Sequence, residues 1–288
     1  MTARPLRGHT LARTIKERIR SEVAGSGLKS ITLAAIDVSG GNGEAQAYAS
    51  SLEKSCSSVG FGFRLHSLPS KSSEADVAEL IERLNGDRRV HGVLLFRPLP
   101  DGLDASVIAG RIAPSKDVEG MHPVNLGSLI CGASKLVPCT AYAAVALLHT
   151  VATTLRGLEV VVVNHSEIVG KPIALLMVHE LATVTICHIG TTDLAAHTRR
   201  ADVLFSGSGV PHLIGGDMLK PGGIVIDIGY CRIAAPDGGD RERVVGDVDF
   251  EAALPIAGWI TPVPGGVGPV TTAMLLSNTM KAASKVNG

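Results

Sequence analysis

The stretch that decides the fold is Val161-Val-Val-Asn-His-Ser-Glu-Ile-Val-Gly-Lys-Pro172. An unbroken run of β-branched residues over 160–163 is typical of a buried parallel strand, and a polar turn leads from it into a helix predicted over 168–180. This order places backbone N–H groups and the positive end of a helix where a pyrophosphate can bind. Asn164 stands where a dinucleotide fingerprint has its first glycine, and asparagine tolerates a left-handed backbone better than most residues. On spacing alone, an ordinary strand-to-helix turn explains the stretch equally well.

Strands and helices alternate on both sides of that stretch. Apolar residues recur every four positions from Leu11 to Val23, which predicts an amphipathic first helix. The pattern predicts further strands over 31–38, 61–65, 90–96, 183–187, 203–205, 223–228 and 259–260, and further helices ending near 59 and over 74–84, 141–154 and 269–285. Such alternation indicates βαβ units with parallel sheets. We therefore predict an α/β protein of two α/β domains, the C-terminal one a Rossmann-like parallel sheet, with an interdomain cleft as the default ligand site.

Composition excludes several classes of protein. Twenty-seven basic and twenty-seven acidic residues leave no net charge, and the 288 residues include only one Trp, three Tyr and five Phe. Neither a basic surface nor a stacking platform for nucleic acid is therefore expected. No secretory leader and no apolar run of membrane-spanning length is visible. The five cysteines form no CxxC pair and are interpreted as free thiols of a reducing compartment, with no metal site. These features predict a cytoplasmic protein that acts on small molecules, with no nucleic-acid or membrane partner.

A second constrained segment is Thr261-Pro-Val-Pro-Gly-Gly-Val-Gly-Pro269. Its three prolines and three glycines fix an irregular loop that allows a ligand to approach the backbone closely. Pro269 also suits the first turn of the last helix. A structural linker is the alternative interpretation, and the density of constraint favours a ligand loop.

The choice of dinucleotide depends on the end of the strand predicted over 183–187. The chain there reads Cys187-His188-Ile189-Gly190. A site for NAD usually carries an acid at this point for the ribose 2′-hydroxyl, and neither an acid nor an arginine for a 2′-phosphate is present. His165 and His188 could donate to either ribose or could lie on the surface. The pattern does not choose between NAD and NADP.

Several motifs together resemble one enzyme family. They are Lys116-Asp-Val-Glu-Gly120, Pro138-Cys-Thr140, Ser166-Glu-Ile-Val-Gly-Lys-Pro172, Gly246-Asp-Val248 and Pro264-Gly-Gly-Val-Gly-Pro269. From about Leu6 onward the chain is similar to the bifunctional methylenetetrahydrofolate dehydrogenase/methenyltetrahydrofolate cyclohydrolase (FolD) family, whose ITPVPGGVGP signature is intact at 260–269. The resemblance implies a tetrahydrofolate derivative as substrate, NADP or NAD as cofactor, and a homodimer. It also implies an N-terminal substrate domain over 1–137, completed by a C-terminal helix over 268–288, and a dinucleotide-binding domain over 138–267.

The resemblance implies the site residues as well. Tyr48 and Glu119 take the catalytic positions. The substrate-binding positions are Tyr48, Leu52, Phe96, Glu119, Pro264, Gly265, Gly266 and Gly268. The cofactor-binding positions are Asn164, His165, Ser166, Gly170, Pro172, His188, Ser208, Gly209, Gly229 and Tyr230. No metal is expected.

Three of the substrate-binding positions depart from the family pattern. The family has a Tyr-x-x-x-Lys motif whose lysine serves the cyclohydrolase, and Leu52 stands in the lysine's place after Tyr48. Phe96 replaces the glutamine that hydrogen-bonds this lysine, and Glu119 is one methylene longer than the family's aspartate. Lys54 is no substitute, because at about 100° per residue it points away from the face of Tyr48.

These losses separate the family's two activities. Hydride transfer needs position and orientation, whereas hydrolysis of the methenyl bridge needs proton transfer, which leucine and phenylalanine cannot perform. We therefore predict an NAD(P)-dependent methylenetetrahydrofolate dehydrogenase of one-carbon metabolism whose cyclohydrolase activity is lost or strongly reduced. Asn164-His165 in place of Gly-Arg, and His188-Ile189 in place of His-Ser or His-Arg, weaken the expectation of NADP and bring NAD into consideration. A repurposed FolD-like oxidoreductase with another substrate and a non-catalytic dinucleotide-binding paralogue stay open as alternatives.

Overall fold

A computed structural model of the chain describes residues 2–28, 30–234 and 242–286. Residues 285 and 286 are described by their backbone alone. The chain divides into two units. The three-stranded unit consists of Arg13–Cys139 together with the chain from Thr272 onward, and the six-stranded unit consists of the chain up to Ala12 together with Thr140–Thr271. The unit boundaries fall inside the first helix, α1 (His9–Gly25), after the first residue of α6 (Cys139–Leu148), and inside the last helix, α10 (Val267–Val286).

The three-stranded unit is built around a parallel sheet in the order β3-β2-β4. Its strands are β2 (Thr32–Asp37), β3 (Gly62–Ser67) and β4 (Gly92–Leu95), and its helices besides α1 are α2 (Gly43–Ser57), α3 (Glu74–Gly86), α4 (Ala105–Ala109) and α5 (Pro123–Ile130). Every residue of β2 is buried, because a central parallel strand is covered on both faces. A core of aliphatic side chains from β2, β4 and α3 fills one side of this sheet.

Helix α2 carries part of the predicted site, and local chemistry defines where it begins. Asn42 caps it, since its side-chain oxygen accepts the backbone N–H of Ala45 at 2.8 Å. Its buried residues are Ala49, Leu52 and Cys56, and this spacing of three and four residues is that of one helix face.

The six-stranded unit has a parallel sheet in the order β1-β11-β8-β7-β5-β6. Its strands are β1 (Arg4–Pro5), β5 (Glu159–Val163), β6 (Thr183–Cys187), β7 (Val203–Ser206), β8 (Ile224–Asp227) and β11 (Trp259–Ile260), and its helices are α6 (Cys139–Leu148), α7 (Gly170–His179), α8 (Leu194–Thr198) and α9 (Phe250–Ala253). Strands β9 (Cys231–Ala234) and β10 (Glu242–Val245) follow β8 in the chain and pair with each other in antiparallel orientation. The order gives this sheet a switch point, because the chain goes from β5 to one neighbour, β6, and then crosses to the other, β7. Ligands of such sheets bind outside the carboxyl ends of the strands at this point.

The predicted fold class is confirmed, and the strands fall close to their predicted positions. The helix predicted over 141–154 ends earlier, at Leu148, because Thr150 donates its backbone N–H only three residues back, to Leu147, at 3.1 Å. The structure also differs from the predicted domain range at its start, because Arg4 and Pro5 pair with Trp259 and Ile260 and so lie in the six-stranded unit. A two-residue strand has no periodicity from which it could be predicted. Residues 1, 29, 235–241 and 287–288 of the predicted ranges lie outside the described residues.

Among the described residues, no helix combines the length and the apolar character that a membrane crossing requires. All five cysteines are free, and only Cys131 is exposed.

Candidate active site

The three-stranded unit brings Tyr48 and Phe96 together. Tyr48 lies on α2, and Phe96 directly follows β4, where its backbone N–H donates to the carbonyl of Ile36 at 2.9 Å. The two ring centroids are 4.9 Å apart with the planes tilted by 53°, which is a favourable aromatic arrangement. Leu52 lies one turn after Tyr48 and is buried, at 1% exposure against 47% for Tyr48. Positions 52 and 96 are therefore occupied by hydrocarbon groups that neither donate nor accept a proton.

Two titratable groups, Glu119 and more weakly the Cys139 thiol, interact electrostatically with Tyr48. Burial raises the pKa of Glu119 to about 7, and the negative charge of Asp117 adds to this, whereas the Arg97 guanidinium and a hydrogen bond from the backbone of Leu95 oppose it. Burial, followed by the charge of Glu119, raises the pKa of Tyr48 to about 12. At neutral pH Tyr48 is thus a phenol that can donate a hydrogen bond, and Glu119 lies close to the midpoint of its titration.

The segment 116–120 that carries Glu119 is fixed by its own first two side chains. The Lys116 ammonium donates to three backbone carbonyls at the end of α3, those of Leu84, Asn85 and Asp87, at 2.9, 2.8 and 2.8 Å. Asp117 accepts from the backbone of His122 and the side chain of Asn125 at 2.7 and 2.8 Å. Both side chains are buried. The lysine and aspartate of this motif hold the loop, and the glutamate is the member left to face a ligand.

Asn278 of α10 completes this support, and sequence reasoning missed it. Its side-chain amide donates to the carbonyls of Val118 and Val137 at 2.9 and 3.0 Å. The Cys139 thiol also donates to the Val118 carbonyl, at 3.2 Å. Asn278 thereby connects the loop that carries Glu119, through Val118, to the segment before α6, through Val137. The sequence gives no local signal for this role, because Ser277 and Thr279 flank Asn278 and its partners are backbone carbonyls, which any residue supplies.

In the six-stranded unit, Asn164 organises the turn between β5 and α7. Its side-chain oxygen accepts the backbone N–H groups of Ser166 and Gly170 at 2.7 and 3.0 Å, and its nitrogen donates to the carbonyl of Gly207. Asn164 does not have a positive φ, so the expectation of a left-handed backbone there is wrong. The side chain caps the turn instead. Gly170 must be glycine, because an added Cβ would overlap the Asn164 carbonyl.

The other predicted residues of this turn lie beside it. The Ser166 hydroxyl accepts the backbone N–H of Val169 at 3.2 Å, and Pro172 is buried in the first turn of α7. His165 and His188 follow the neighbouring strands β5 and β6, and their rings meet edge to face with centroids 5.4 Å apart. Both histidines are exposed, so they can contact a ligand at the carboxyl edge of the sheet.

Two buried carboxylates, Asp227 and Asp247, hold the loops after β7 and β8. Asp247 accepts from the hydroxyl and the backbone N–H of Ser208, and from the backbone of Gly209 at 3.1 Å. Asp227 accepts from the backbone of Gly229 at 2.9 Å, and burial raises the pKa of Asp227 to about 7. The predicted residues Ser208, Gly209 and Gly229 are therefore bonded to acids of their own unit. Tyr230, by contrast, is 64% exposed.

The proline- and glycine-rich loop lies in the six-stranded unit, beside the first residues of the chain. The carbonyl of Gly265 accepts the backbone N–H of Gly8 at 3.0 Å. Pro264 and Gly268 are exposed, whereas Gly266 is buried. The loop thus presents two of its predicted residues to solvent.

The described residues of the six-stranded unit fit a nicotinamide dinucleotide. The switch point, the start of α7 and the exposed histidines occupy one edge of the sheet, which supplies backbone donors for phosphates and side chains for a ribose. Within the described part of the chain, no group of three or more His, Cys, Asp or Glu is arranged to hold a metal ion.

Comparison with known proteins gives matches along almost the whole chain. The family model described as tetrahydrofolate dehydrogenase/cyclohydrolase, catalytic domain, matches residues 6–119, and the one described as the NAD(P)-binding domain of the same enzymes matches residues 138–287. The bifunctional protein FolD of Moorella thermoacetica is 42% identical over 286 residues, which are 99% of this chain and 100% of that protein.

Two solved structures are similar throughout. The bifunctional FolD enzyme of Campylobacter jejuni has a TM-score of 0.91 at 38% identity and covers 98% of this chain and 99% of its own. The methylenetetrahydrofolate dehydrogenase-cyclohydrolase of Trypanosoma brucei, solved with NADP and an inhibitor, has a TM-score of 0.92 at 34% identity and covers 99% of this chain and 98% of its own.

Proposed function

Because the chain belongs to the tetrahydrofolate dehydrogenase/cyclohydrolase family and is an NAD(P)-dependent methylenetetrahydrofolate dehydrogenase, we propose that its methenyltetrahydrofolate cyclohydrolase activity is lost or strongly reduced. The observation that carries the proposal is the side-chain chemistry beside Tyr48. Leu52 and the ring of Phe96 occupy the positions at which the family pattern has a lysine and a glutamine.

Hydride transfer does not require the missing groups. A bound dinucleotide would supply the hydride acceptor, and the folate's own nitrogen lone pair would stabilise the cation left on the methylene carbon. The protein's part is to orient the folate. Tyr48 offers a flat ring and a phenolic donor for this, and Glu119 offers a carboxylate for the amino-pyrimidine edge.

Hydrolysis of the methenyl bridge makes a different demand. A water molecule must lose a proton as it adds to the bridge carbon, and a folate nitrogen must gain one as its bond to that carbon breaks. The buried Leu52 and Phe96 have no group that can accept the first proton or donate the second. Glu119 is not available as a replacement while it accepts hydrogen bonds from the pteridine, and the Arg97 guanidinium donates hydrogen bonds but accepts none.

We further propose that NAD serves this enzyme at least as well as NADP. The support is the end of β6, where His188 and Ile189 are exposed and neither an acid nor an arginine stands among residues 188–190. A homodimer and a cytoplasmic location stay predictions of the sequence. Sedimentation of the purified chain would test the first.

Two absorbance assays on the purified protein test the main proposal. Reduction of NAD or NADP with methylenetetrahydrofolate measures the dehydrogenase, and the decay of methenyltetrahydrofolate measures the cyclohydrolase. We expect the first reaction at a rate typical of the family and the second at the uncatalysed rate. Hydrolysis at a rate comparable to hydride transfer would refute the proposal.

A double variant, Leu52→Lys with Phe96→Gln, tests the cause. Because a positioned acid–base group contributes about 10²- to 10⁴-fold, the double variant should gain hydrolysis of about this size over the parent chain. Leu52→Met with Phe96→Leu is the matched control, since it changes both side chains without adding a polar group, and it should gain none.

The same assays distinguish the alternatives. Dinucleotide binding without reduction by methylenetetrahydrofolate is the result expected of a repurposed oxidoreductase or of a non-catalytic paralogue. Reduction with another imine-like substrate would then separate these two.

A further inference from the structure

The loop after β7 lies at the switch point of the six-stranded sheet. Strands β5 and β7 are neighbours, with Val163 paired to Ser206, and they end at the point where the chain changes direction across the sheet. The Asn164 side chain bridges the two strand ends by donating to the Gly207 carbonyl. Residues 206–209 therefore form one wall of the crevice in which a doubly wound sheet binds its ligand.

Asp247 holds this wall with a single carboxylate. One oxygen accepts the hydroxyls of Ser206 and Ser208, both at 2.9 Å, and the backbone N–H of Ser208. The other oxygen accepts the backbone N–H of Gly209 at 3.1 Å. Asp247 is fully buried, so water does not replace any of these bonds.

Asp227 and Gly229 fix Asp247 in turn. Asp227 accepts the backbone N–H groups of Asp247 and Val248 at 3.1 and 2.9 Å. Gly229 packs directly against the Asp247 carboxylate, where an added Cβ would overlap its oxygen. The acid therefore has a fixed position and no room for a longer side chain.

The chemistry of the donors requires a carboxylate at this position. Backbone N–H groups of Ser208 and Gly209 point at different oxygens of Asp247, and an N–H group cannot rotate to become an acceptor as a hydroxyl can. An asparagine in either orientation would turn its amide NH₂ toward one of these two N–H groups. The backbone N–H of either Ser208 or Gly209 would then lose its acceptor and point at an amide hydrogen.

We propose that Asp247 is the positioning residue that holds loop 206–209 in the conformation that receives the nicotinamide dinucleotide. The inference rests on dinucleotide binding by the six-stranded unit and is independent of the loss of cyclohydrolase activity. Failure of either proposal leaves the other standing.

The test compares Asp247→Asn with Asp249→Asn in the full-length protein. Asp249 is the matched control, because it is two residues away and caps α9 by accepting the backbone N–H of Ala252 at 3.1 Å. The dissociation constants of NAD, NADP and tetrahydrofolate are measured by calorimetry, with the unfolding temperature of each variant. For Asp247→Asn we expect an affinity loss of about tenfold for the dinucleotides and less than about twofold for tetrahydrofolate. The control should retain both affinities.

Two outcomes overturn the proposal. One is dinucleotide affinity equal to that of the parent chain in a folded Asp247→Asn variant. The other is an equal loss for dinucleotide and tetrahydrofolate, which is the signature of a general structural role.

If Asp247→Asn does not fold, the double variant Ser206→Ala with Ser208→Ala takes its place. It removes two donors and leaves the carboxylate with both backbone bonds. An unchanged dinucleotide affinity in that variant also overturns the proposal, and we expect a loss of about threefold for the dinucleotides alone.

Discussion

Replacing Glu119 by glutamine should stabilise the protein above neutral pH and weaken its hold on the folate. In the folded chain, burial raises the pKa of Glu119 from its ordinary value of 4.5 to about 7. Ionising this half-buried carboxylate therefore costs the folded protein free energy. A ligand that donates hydrogen bonds to the ionised carboxylate would offset that cost. Function and stability are opposed at this residue.

The magnitude follows from the pKa of Glu119. Between pH 4.5 and 7 the folded state holds a proton that the unfolded state has released. The stabilising contribution of this proton is complete below pH 4.5 and is lost as the pH rises through 7. At about 1.4 kcal/mol per pH unit, ionisation costs the folded state about 3 kcal/mol by mildly alkaline pH. Glutamine carries no charge at any pH and avoids this cost.

Denaturant unfolding at two pH values measures the effect. The free energy of unfolding of Glu119→Gln should exceed that of the parent chain by a margin that grows by about 2 kcal/mol between about pH 5.5 and about pH 8.5. Glu53→Gln is the control, because it removes one carboxylate from the exposed side of the helix that carries Tyr48 and leaves Glu119 in place. A margin for Glu119→Gln that is the same at both pH values would refute the reasoning.

The affinity of the same variant for tetrahydrofolate gives an independent test of the role of Glu119. In the proposed binding mode the pteridine donates to the ionised carboxylate, so in the parent chain the affinity for tetrahydrofolate should fall below about pH 7, by a factor that approaches tenfold per pH unit. In Glu119→Gln the binding should be weaker and lose this pH dependence. Binding as tight as that of the parent chain would show that Glu119 is not the anchor of the pteridine.

Three further variants test the supports of this site. Lys116→Met leaves three carbonyls at the end of α3 without their shared ammonium donor, and should lower the free energy of unfolding by about 3 kcal/mol in denaturant titrations. Arg97→Leu removes the cation that favours ionised Glu119, so the midpoint of the pH profile of tetrahydrofolate binding should move upward. Asn278→Leu leaves the Val118 and Val137 carbonyls without their amide donor; it should raise the KM for methylenetetrahydrofolate about tenfold while the KM for the dinucleotide stays unchanged.

The sheets were predictable because parallel strands carry a strong local signal. The four valines of β5 and the apolar run over 33–36 in the fully buried β2 are unbroken by polar residues, which distinguishes a covered strand from an exposed one. Strand β1 was not predictable, because Arg4 and Pro5 have no apolar pattern and owe their extended form to pairing with Trp259 and Ile260. That pairing depends on residues about 255 positions away in the chain.

The residues of the site that belong to recognisable motifs could be predicted from the sequence. The hydrogen bonds that hold those residues in place could not. Tyr48 of α2 meets Phe96, which directly follows β4, and His165 meets His188 because each directly follows one of two neighbouring strands. The supports from Lys116 and Asn278 could not be inferred, since their partners are backbone carbonyls that any residue supplies. The cofactor contacts assigned to Ser208 and Gly229 stay predictions.

The internal bonds of the six-stranded unit bear on how its ligand is recognised. Asn164, Ser208 and Asp247 all lie at the carboxyl edge of the sheet. The side chain of each is hydrogen-bonded to the backbone or a side chain of a neighbouring loop. Because these side chains are engaged in bonds within the protein, we expect the loops that they hold to bind the dinucleotide largely through backbone groups. Backbone recognition is insensitive to side-chain substitution as long as the loops keep their shape. This is why the turn can lack the glycine of the common fingerprint and still fit a dinucleotide, and why replacing Asp247, which shapes the wall, should cost more affinity than replacing Ser208, which lines it.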